Sequence, residues 1–295
     1  MNKNSFQLLN NEKACGLSFS LMITLFVFIS FLGQALASVI FGSGSAFVAV
    51  CATFSCIAMI TVIVAFTKNN KQKFTSIVNL KSCKWHYYLL AFGVSIGMLF
   101  GFGFINNLVV SLFEKLGLKI SGISLNLSTP LHLLVFSLTF AVLPAIFEEF
   151  FFRGLLLGEL RKTGIFGATL TVSLCFALYH GSLAQLVYQL LYGGVLCLLF
   201  ISADSVIPCI IAHFLNNFAV LVIEYFKFNV DLYNPLFICA GLIILIFSVT
   251  VILVDIVKKE NKEKSGKIKD FWLPFGLFGV VICLALALGG AFLGA

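Results

Sequence analysis

The sequence predicts an all-α protein, a polytopic transmembrane helical bundle. Of its 295 residues, 60% are hydrophobic and only 11% are charged, whereas a soluble domain averages about 25% charged residues. The mean hydropathy is +1.08, and the apolar runs reach the ~20 residues that a helix needs to cross a bilayer. The alternating segments typical of membrane β-barrels do not occur in the sequence. We therefore expect an integral membrane protein of the helical kind.

Nine apolar runs divide the chain, and each is predicted to form one helical span. They lie roughly at residues 15–41, 46–66, 86–113, 131–158, 164–181, 183–202, 205–226, 233–257 and 271–294. Three regions follow from their spacing. Residues 1–130 hold N-terminal spans and a basic cytosolic loop, residues 131–226 hold motif-bearing core helices, and residues 227–295 hold C-terminal spans with a basic loop at 258–269.

The distribution of basic residues predicts the orientation of these spans. With the N-terminus inside, the inside segments hold 16 of the 19 Lys and Arg residues and the outside segments hold 3. Cytosolic loops carry such an excess of positive charge. The N-terminus is therefore expected in the cytosol and the C-terminus outside. Because the basic residues cluster between apolar runs, the net charge of +7 does not indicate a nucleic-acid partner.

A ridge of small residues marks the third span, where Gly93, Gly97 and Gly101 recur at four-residue spacing. Such a ridge lets two helices approach closely in lipid. We expect it to pack inside the protein rather than form a dimer seam, and the oligomeric state stays open.

Three ionisable residues, Glu148, Glu149 and Arg153, lie within one apolar run. Ionisable groups at membrane depth are costly and are usually functional. Glu149 and Arg153 are four residues apart and share a helix face, so they are predicted to form an ion pair. Glu148 is rotated by about 100° from Glu149 and needs a partner from another helix or a water molecule.

Histidines on later spans are candidate partners for Glu148. His180 follows Phe176 by four residues, and His213 precedes Asn217 by four. Glu148 and His180 are equidistant from the turn predicted near residue 164, so antiparallel helices would place them at equal depth, roughly 24 Å from that turn. His213 is nine residues beyond Asp204, roughly 14 Å from its own turn, so its depth relative to Glu148 stays open.

Each histidine taken alone is more simply explained as a packing residue, but the combination is more specific than any of its members. The motifs are E-E-x-x-x-R at 148–153, F-x-x-x-H at 176–180 and H-x-x-x-N at 213–217. In this order they resemble the CAAX-protease and bacteriocin-processing (CPBP, or Abi) family of intramembrane proteases, which includes the type II CAAX prenyl endopeptidases. The motifs match without a departure over about 70 residues. Beyond the family's eight-helix core, the extra C-terminal span has an open role.

The resemblance implies an intramembrane endopeptidase that hydrolyses a peptide bond in a membrane-associated protein or peptide. Glu148 would take a proton from water, and His180 would help to hold that water. His213 and Asn217 would face the developing oxyanion, where positioned donors stabilise the transition state. The residues expected to support the site are Glu149, Arg153 and Phe176.

The metal requirement has two readings. The family is often labelled a metalloprotease, and Glu148, His180 and His213 are residue types that ligate zinc. The H-E-x-x-H motif is absent, however, and a glutamate bound to zinc would not be free to act as the base. We favour a glutamate mechanism without a metal cofactor.

The substrate stays open, with roles ranging from CAAX-type processing to peptide pheromone or bacteriocin maturation and self-immunity. The chain has 2 Arg against 17 Lys, a bias typical of AT-rich bacterial genomes, where CAAX prenylation is not expected. This bias favours a location in a bacterial cell membrane. The expected partners are membrane lipids and a peptide or protein substrate, which is lipidated in some of these roles. The alternative is a non-proteolytic membrane scaffold or regulator of the same fold.

Overall fold

The computed structural model describes residues 10–117, 125–259 and 266–293, and all regular structure within these ranges is helical. The predicted helical bundle is confirmed. Its nine main helices are α1 (Asn11–Phe41), α2 (Ser45–Asn69), α3 (His86–Lys115), α4 (Pro130–Thr163), α5 (Ile165–Tyr179), α6 (Leu186–Ala203), α7 (Ile207–Phe226), α8 (Pro235–Lys259) and α9 (Lys269–Gly289). The last helical segment of α9 runs on to Leu293, and a one-turn helix, Phe74–Ile77, lies between α2 and α3.

Eight of these helices are long and apolar enough to cross a membrane, but α5 is not, because it has only 15 residues. The run predicted at 164–181 therefore contains a helix of roughly 22 Å, shorter than the ~30 Å hydrocarbon layer. The helix ends because Gly181 adopts a φ of 60°, a left-handed conformation that glycine tolerates and that terminates helices.

The glycine ridge of α3 packs against α8, as predicted. A Cβ atom on Gly97 would lie 2.8–2.9 Å from atoms of Leu245, two of them in the backbone. A Cβ on Gly101 would lie 3.1 Å from the backbone nitrogen of Leu242. The absence of side chains on this face lets the two helices approach closely in an environment where packing, not water, drives helix association.

The extra C-terminal helix packs against α1. The Ser20 hydroxyl donates to the carbonyl of Phe275 at 2.5 Å and accepts from the backbone N–H of Gly279 at 3.0 Å. A Cβ on Gly279 would lie 2.8 Å from the ring of Phe19. These contacts give α9 a packing role at α1.

The segments predicted to lie inside meet at one end of the bundle, which we call the basic end. Asp204, between α6 and α7, binds Lys81 at 2.5 Å and Arg161 at 2.7 Å. Asn11 of α1 donates to Glu159 of α4 at 2.8 Å. Burial disfavours the charged form of Asp204, but the hydrogen bonds from Lys81 and Arg161 outweigh it and lower its pKa to about 2.

The structure does not describe every basic residue counted in the sequence. Lys3, Lys119, Lys262 and Lys264 lie outside the described residues. We call the opposite end of the bundle, where α1 ends at Phe41 and α4 begins at Pro130, the far end.

Candidate active site

The predicted ion pair of Glu149 and Arg153 is confirmed. Nη1 of Arg153 donates to Oε1 of Glu149 at 2.7 Å, and both side chains are fully buried. Nη2 donates to the carbonyl of Gly193 at 3.2 Å, and the guanidinium carbon lies 4.3 Å from the centre of the Phe176 ring. The aromatic face and the carbonyl add favourable contacts for a cation that has lost its water.

Glu149 also binds His213, a contact that the sequence did not indicate. Nδ1 of His213 lies 2.8 Å from Oε1 of Glu149. Because an ionised carboxylate only accepts hydrogen bonds, this nitrogen carries the proton and donates it. The contact fixes the ring so that Nε2 points to the neighbouring carboxylate, with 3.9 Å between His213 Nε2 and Glu148 Oε2.

His180 approaches the same carboxylate from α5. Its Nδ1 lies 2.7 Å from the carbonyl oxygen of Phe176. A carbonyl only accepts, so Nδ1 carries a proton and Nε2 of the neutral ring has a free lone pair. Nε2 lies 3.9 Å from Oε2 of Glu148. The equal depth predicted for Glu148 and His180 is confirmed. His213 lies at this depth too, because its Nε2 is also 3.9 Å from Oε2 of Glu148.

Oε2 of Glu148 is the point on which these groups converge. It is buried and has no hydrogen-bond partner in the part of the chain that the structure describes. Both imidazole distances of 3.9 Å exceed a direct hydrogen bond, yet one water molecule can bridge groups at this separation. The other oxygen, Oε1, lies 3.5 Å from the hydroxyl of Tyr179, at the outer limit of a hydrogen bond.

Asn217 takes part in a different contact from the one expected. Its Nδ2 donates to the carbonyl oxygen of Phe140 in α4 at 3.0 Å. Pro144 lies four residues after Phe140 and has no N–H to donate to that oxygen. Asn217 therefore supplies the hydrogen bond that Pro144 cannot donate to Phe140, and this bond connects α7 to α4. Among the described residues it forms no hydrogen bond with Glu148 or with either site histidine.

Two stretches of α4 have wide, π-helical turns, Ser137–Val142 and Glu149–Leu157. Such turns are rare and occur frequently at functional sites. The second stretch begins at Glu149, so the two adjacent carboxylates stand where the α-helical and π-helical geometries meet.

Further polar atoms lie behind the two histidines without partners among the described residues. They are Oε2 of Glu149, Nε of Arg153 and the hydroxyl of Tyr192. The Tyr192 ring lies 6.1 Å from that of His213. Buried polar groups are normally satisfied by protein or by ordered water, so this region is chemically suited to hold water. The sequence did not indicate Tyr179 or Tyr192 as site residues, because their spacing from other residues does not distinguish them from the many aromatic residues of these spans.

The geometry does not fit a tetrahedral zinc site. A tetrahedral ion with bonds of ~2.0–2.1 Å holds its ligand atoms about 3.3 Å apart, whereas Glu148 Oε2 is 3.9 Å from each imidazole Nε2. Within residues 10–117, 125–259 and 266–293, no group of three or more His, Cys, Asp or Glu is arranged to hold a metal ion.

Comparison with known families supports the resemblance seen in the motifs. Residues 130–219 match the family described as Type II CAAX prenyl endopeptidase Rce1-like. No curated protein and no solved structure matches the chain. The matched segment runs from the start of α4 into α7 and contains Glu148, His180 and His213. Residues 130–219 of this membrane protein are therefore similar to the Rce1-like family, which is consistent with the resemblance of the motifs to the CPBP family of proteases.

Proposed function

We propose that the protein is an intramembrane endopeptidase in which Glu148 activates a water molecule. The observation that supports this most directly is the buried, unpartnered Oε2 of Glu148, which faces two imidazole nitrogens at equal distances of 3.9 Å. A carboxylate without a partner inside an apolar bundle is costly. Its retention is explained if the oxygen must stay free to accept a proton.

The charges of the site bear on which of its groups carry protons. Glu148, Glu149 and Arg153 together carry one net negative charge when all are ionised, and a proton on Nε2 of His213 would neutralise the buried cluster. A bridging water would then donate to Glu148 Oε2 and to the lone pair of His180, and accept from His213. Each hydrogen of that water has an acceptor, and its oxygen has a donor.

In the proposed reaction, Glu148 removes a proton as the water oxygen adds to the carbonyl carbon of the substrate. The carbonyl π bond opens, and its electron pair moves to oxygen. In this scheme His213 is protonated on Nε2. As the water oxygen bonds to carbon, the Nε2–H of His213 passes from that oxygen to the oxyanion, and the second N–H of Asn217 is assigned to the oxyanion as well. When the C–N bond breaks, Glu148 returns its proton to the leaving amine, which gives a carboxylic acid and a free amine.

Glu149 and Arg153 act indirectly in this scheme. The bond from His213 Nδ1 to Glu149 sets the orientation of the ring, and Arg153 neutralises Glu149. Such hydrogen-bonded support keeps a catalytic ring in one orientation. Phe176 contributes through its carbonyl, which orients His180, and through its ring, which covers Arg153.

We also propose that the basic end faces the cytosol, which places the N-terminus inside and the C-terminus outside. The support is the excess of basic residues in the segments that meet there. The substrate would be a membrane-associated peptide or protein, and the proposed roles are peptide maturation, export or self-immunity in a bacterial cell membrane. A non-proteolytic scaffold would not need a free carboxylate oxygen at the centre of the bundle.

The test is Glu148→Gln, which keeps the size of the side chain and removes its basic oxygen. We expect peptide cleavage to fall by about 10²–10⁴-fold, measured by comparing the peptides of cells that carry the native protein or the variant. The matched control is Glu159→Gln, because Glu159 pairs with Lys162 at the basic end, and full cleavage is expected. Native cleavage by Glu148→Gln would refute the assignment, and loss of native activity on thorough chelation would refute the metal-free route.

A further inference from the structure

Two of the helices around the site stop at the level of the site, while their neighbours continue. α5 ends at Tyr179, and the next residue, His180, faces Glu148. α6 begins at Leu186, after a connection without helical structure. The turn between these helices therefore lies beside the proposed catalytic carboxylate and not at a membrane surface.

The neighbouring helices show how deep this turn lies. α4 contacts His180 through Glu148, and α1 contacts Tyr179 through Phe26, whose ring centre is 6.1 Å from that of the tyrosine. From these contacts α4 continues roughly 27 Å to Pro130, and α1 continues roughly 22 Å to Phe41, at 1.5 Å per residue. α7 continues roughly 20 Å beyond His213 in the same direction. The α5–α6 connection is thus recessed below the far end.

The chemistry of the connection indicates water. Residues 180–185 include His180, Ser182 and Gln185, and Gly181 has a φ of 60° with no atom within 4 Å of a Cβ built on it. Irregular backbone at membrane depth occurs only where it is buried in protein or lines a water-filled cavity. Residues 181–184 are partly exposed rather than buried, so the second condition applies.

The exposed fraction of the site side chains decreases with distance from the α5–α6 connection. The side chain of His180 is 17% exposed, that of Glu148 7% and that of His213 4%. Towards the basic end the interior is closed by side chains with no exposed surface, among them Phe152, Leu156 and Phe200. The exposed fraction of the site side chains therefore rises towards the α5–α6 connection, whereas the named side chains on the basic-end side of the site are fully buried.

We infer that the α5–α6 connection forms a hydrated vestibule through which substrate enters from the far end of the bundle. This inference rests on the proposed function and deepens it, because the basic end is assigned to the cytosol. The substrate is then a membrane-anchored peptide whose scissile bond is presented from the outer side. It is not a segment delivered from the cytosol.

The experiment compares two engineered thiols at opposite ends. Ser182→Cys lies in the connection, and its matched control, Ser76→Cys, is exposed in the α2–α3 segment that leads to the basic end. Both are placed in a background that lacks the three cysteines that are not buried, which are Cys51, Cys83 and Cys239. Intact cells are treated with a charged, membrane-impermeant maleimide, before or after permeabilisation.

We expect Ser182→Cys to be labelled in intact cells and Ser76→Cys only after permeabilisation. Labelling of Ser182→Cys only after permeabilisation, or no labelling in either condition, would overturn the inference. The modified Ser182→Cys protein should also lose at least tenfold in cleavage rate, while the modified Ser76→Cys protein keeps its rate. Undiminished cleavage by modified Ser182→Cys would place the entrance elsewhere.

The outcome is separable from that of the proposed function. If Glu148→Gln retains full cleavage, the catalytic assignment fails whatever the labelling pattern. If Glu148→Gln is inactive and Ser182→Cys is labelled only from the cytosolic side, the protease assignment stands and the entrance inferred here is wrong.

Discussion

Replacing Arg153 by Met tests whether the buried ion pair is the electrostatic support of the site. Arg153 and Glu149 are both fully buried, and their Nη1–Oε1 distance is 2.7 Å. Met keeps much of the length of the side chain but removes the charge, the bond to Gly193 and the contact with the Phe176 ring. Glu149 then loses its guanidinium counter-ion and keeps only the hydrogen bond from Nδ1 of His213.

The expected magnitude follows from that burial. Removing one partner of a buried pair costs about 3–5 kcal/mol, because the remaining charge loses its counter-ion in an environment of low dielectric constant. An exposed pair contributes only about 0–1 kcal/mol. Lys162 and Glu159 form a pair at the basic end in which the lysine is 52% exposed and the glutamate 12%. Glu159 keeps a hydrogen bond from Asn11 when the lysine is removed, so Lys162→Met is the matched control.

The assay is reversible unfolding of the purified protein in mixed micelles, with the free energy of unfolding measured for each variant. A second variant, Glu149→Gln with Arg153→Met, removes both charges and should recover much of the loss, because no charge is then left unpaired. Equal losses for Arg153→Met and Lys162→Met would refute the reasoning. So would a double variant less stable than Arg153→Met by a further 3–5 kcal/mol, because it would show that charge compensation is not the cause.

Two further predictions concern the scaffold. The pKa of Asp204 is about 2 in the folded protein, below the ~3.9 of an unfolded aspartate. Its ionised form therefore stabilises the fold above about pH 4. In equilibrium unfolding, the difference in stability between the native protein and Asp204→Asn should disappear as the pH falls towards 2. A difference that stays constant with pH would contradict this. Gly97→Ala should cost about 1–3 kcal/mol, because its Cβ would lie 2.8–2.9 Å from Leu245, whereas Gly167→Ala, with neighbours at 3.8 Å, should be nearly neutral in the same measurement.

Several features of the site could be predicted from the sequence because they depend on regular local geometry. The pairing of Glu149 with Arg153 follows from four-residue spacing on one helix. The meeting of Glu148 with His180 follows from equal distances to one turn. In both cases a constant rise and rotation per residue relates sequence distance to spatial distance.

The fold was predictable for a related reason. Long apolar runs with few charges have only one common solution in a bilayer, which is a helix whose backbone groups satisfy one another. The glycine ridge of α3 was predictable as a packing face, but its partner, α8, was not, because many helices could have met that face. The short extent of α5 was also missed, because an apolar run continues through the glycine turn that ends the helix.

The sequence alone determined a helical membrane bundle, the buried Glu149–Arg153 pair and the shared depth of Glu148 and His180. Only the tertiary structure decided which contacts formed between helices that are not joined by one turn. The bond of His213 to Glu149 and that of Asn217 to Phe140 belong to this group, as does the approach of Tyr179 to Glu148. These contacts depend on the rotation and tilt of each helix against its neighbours, which packing of the whole bundle sets and residue spacing does not encode.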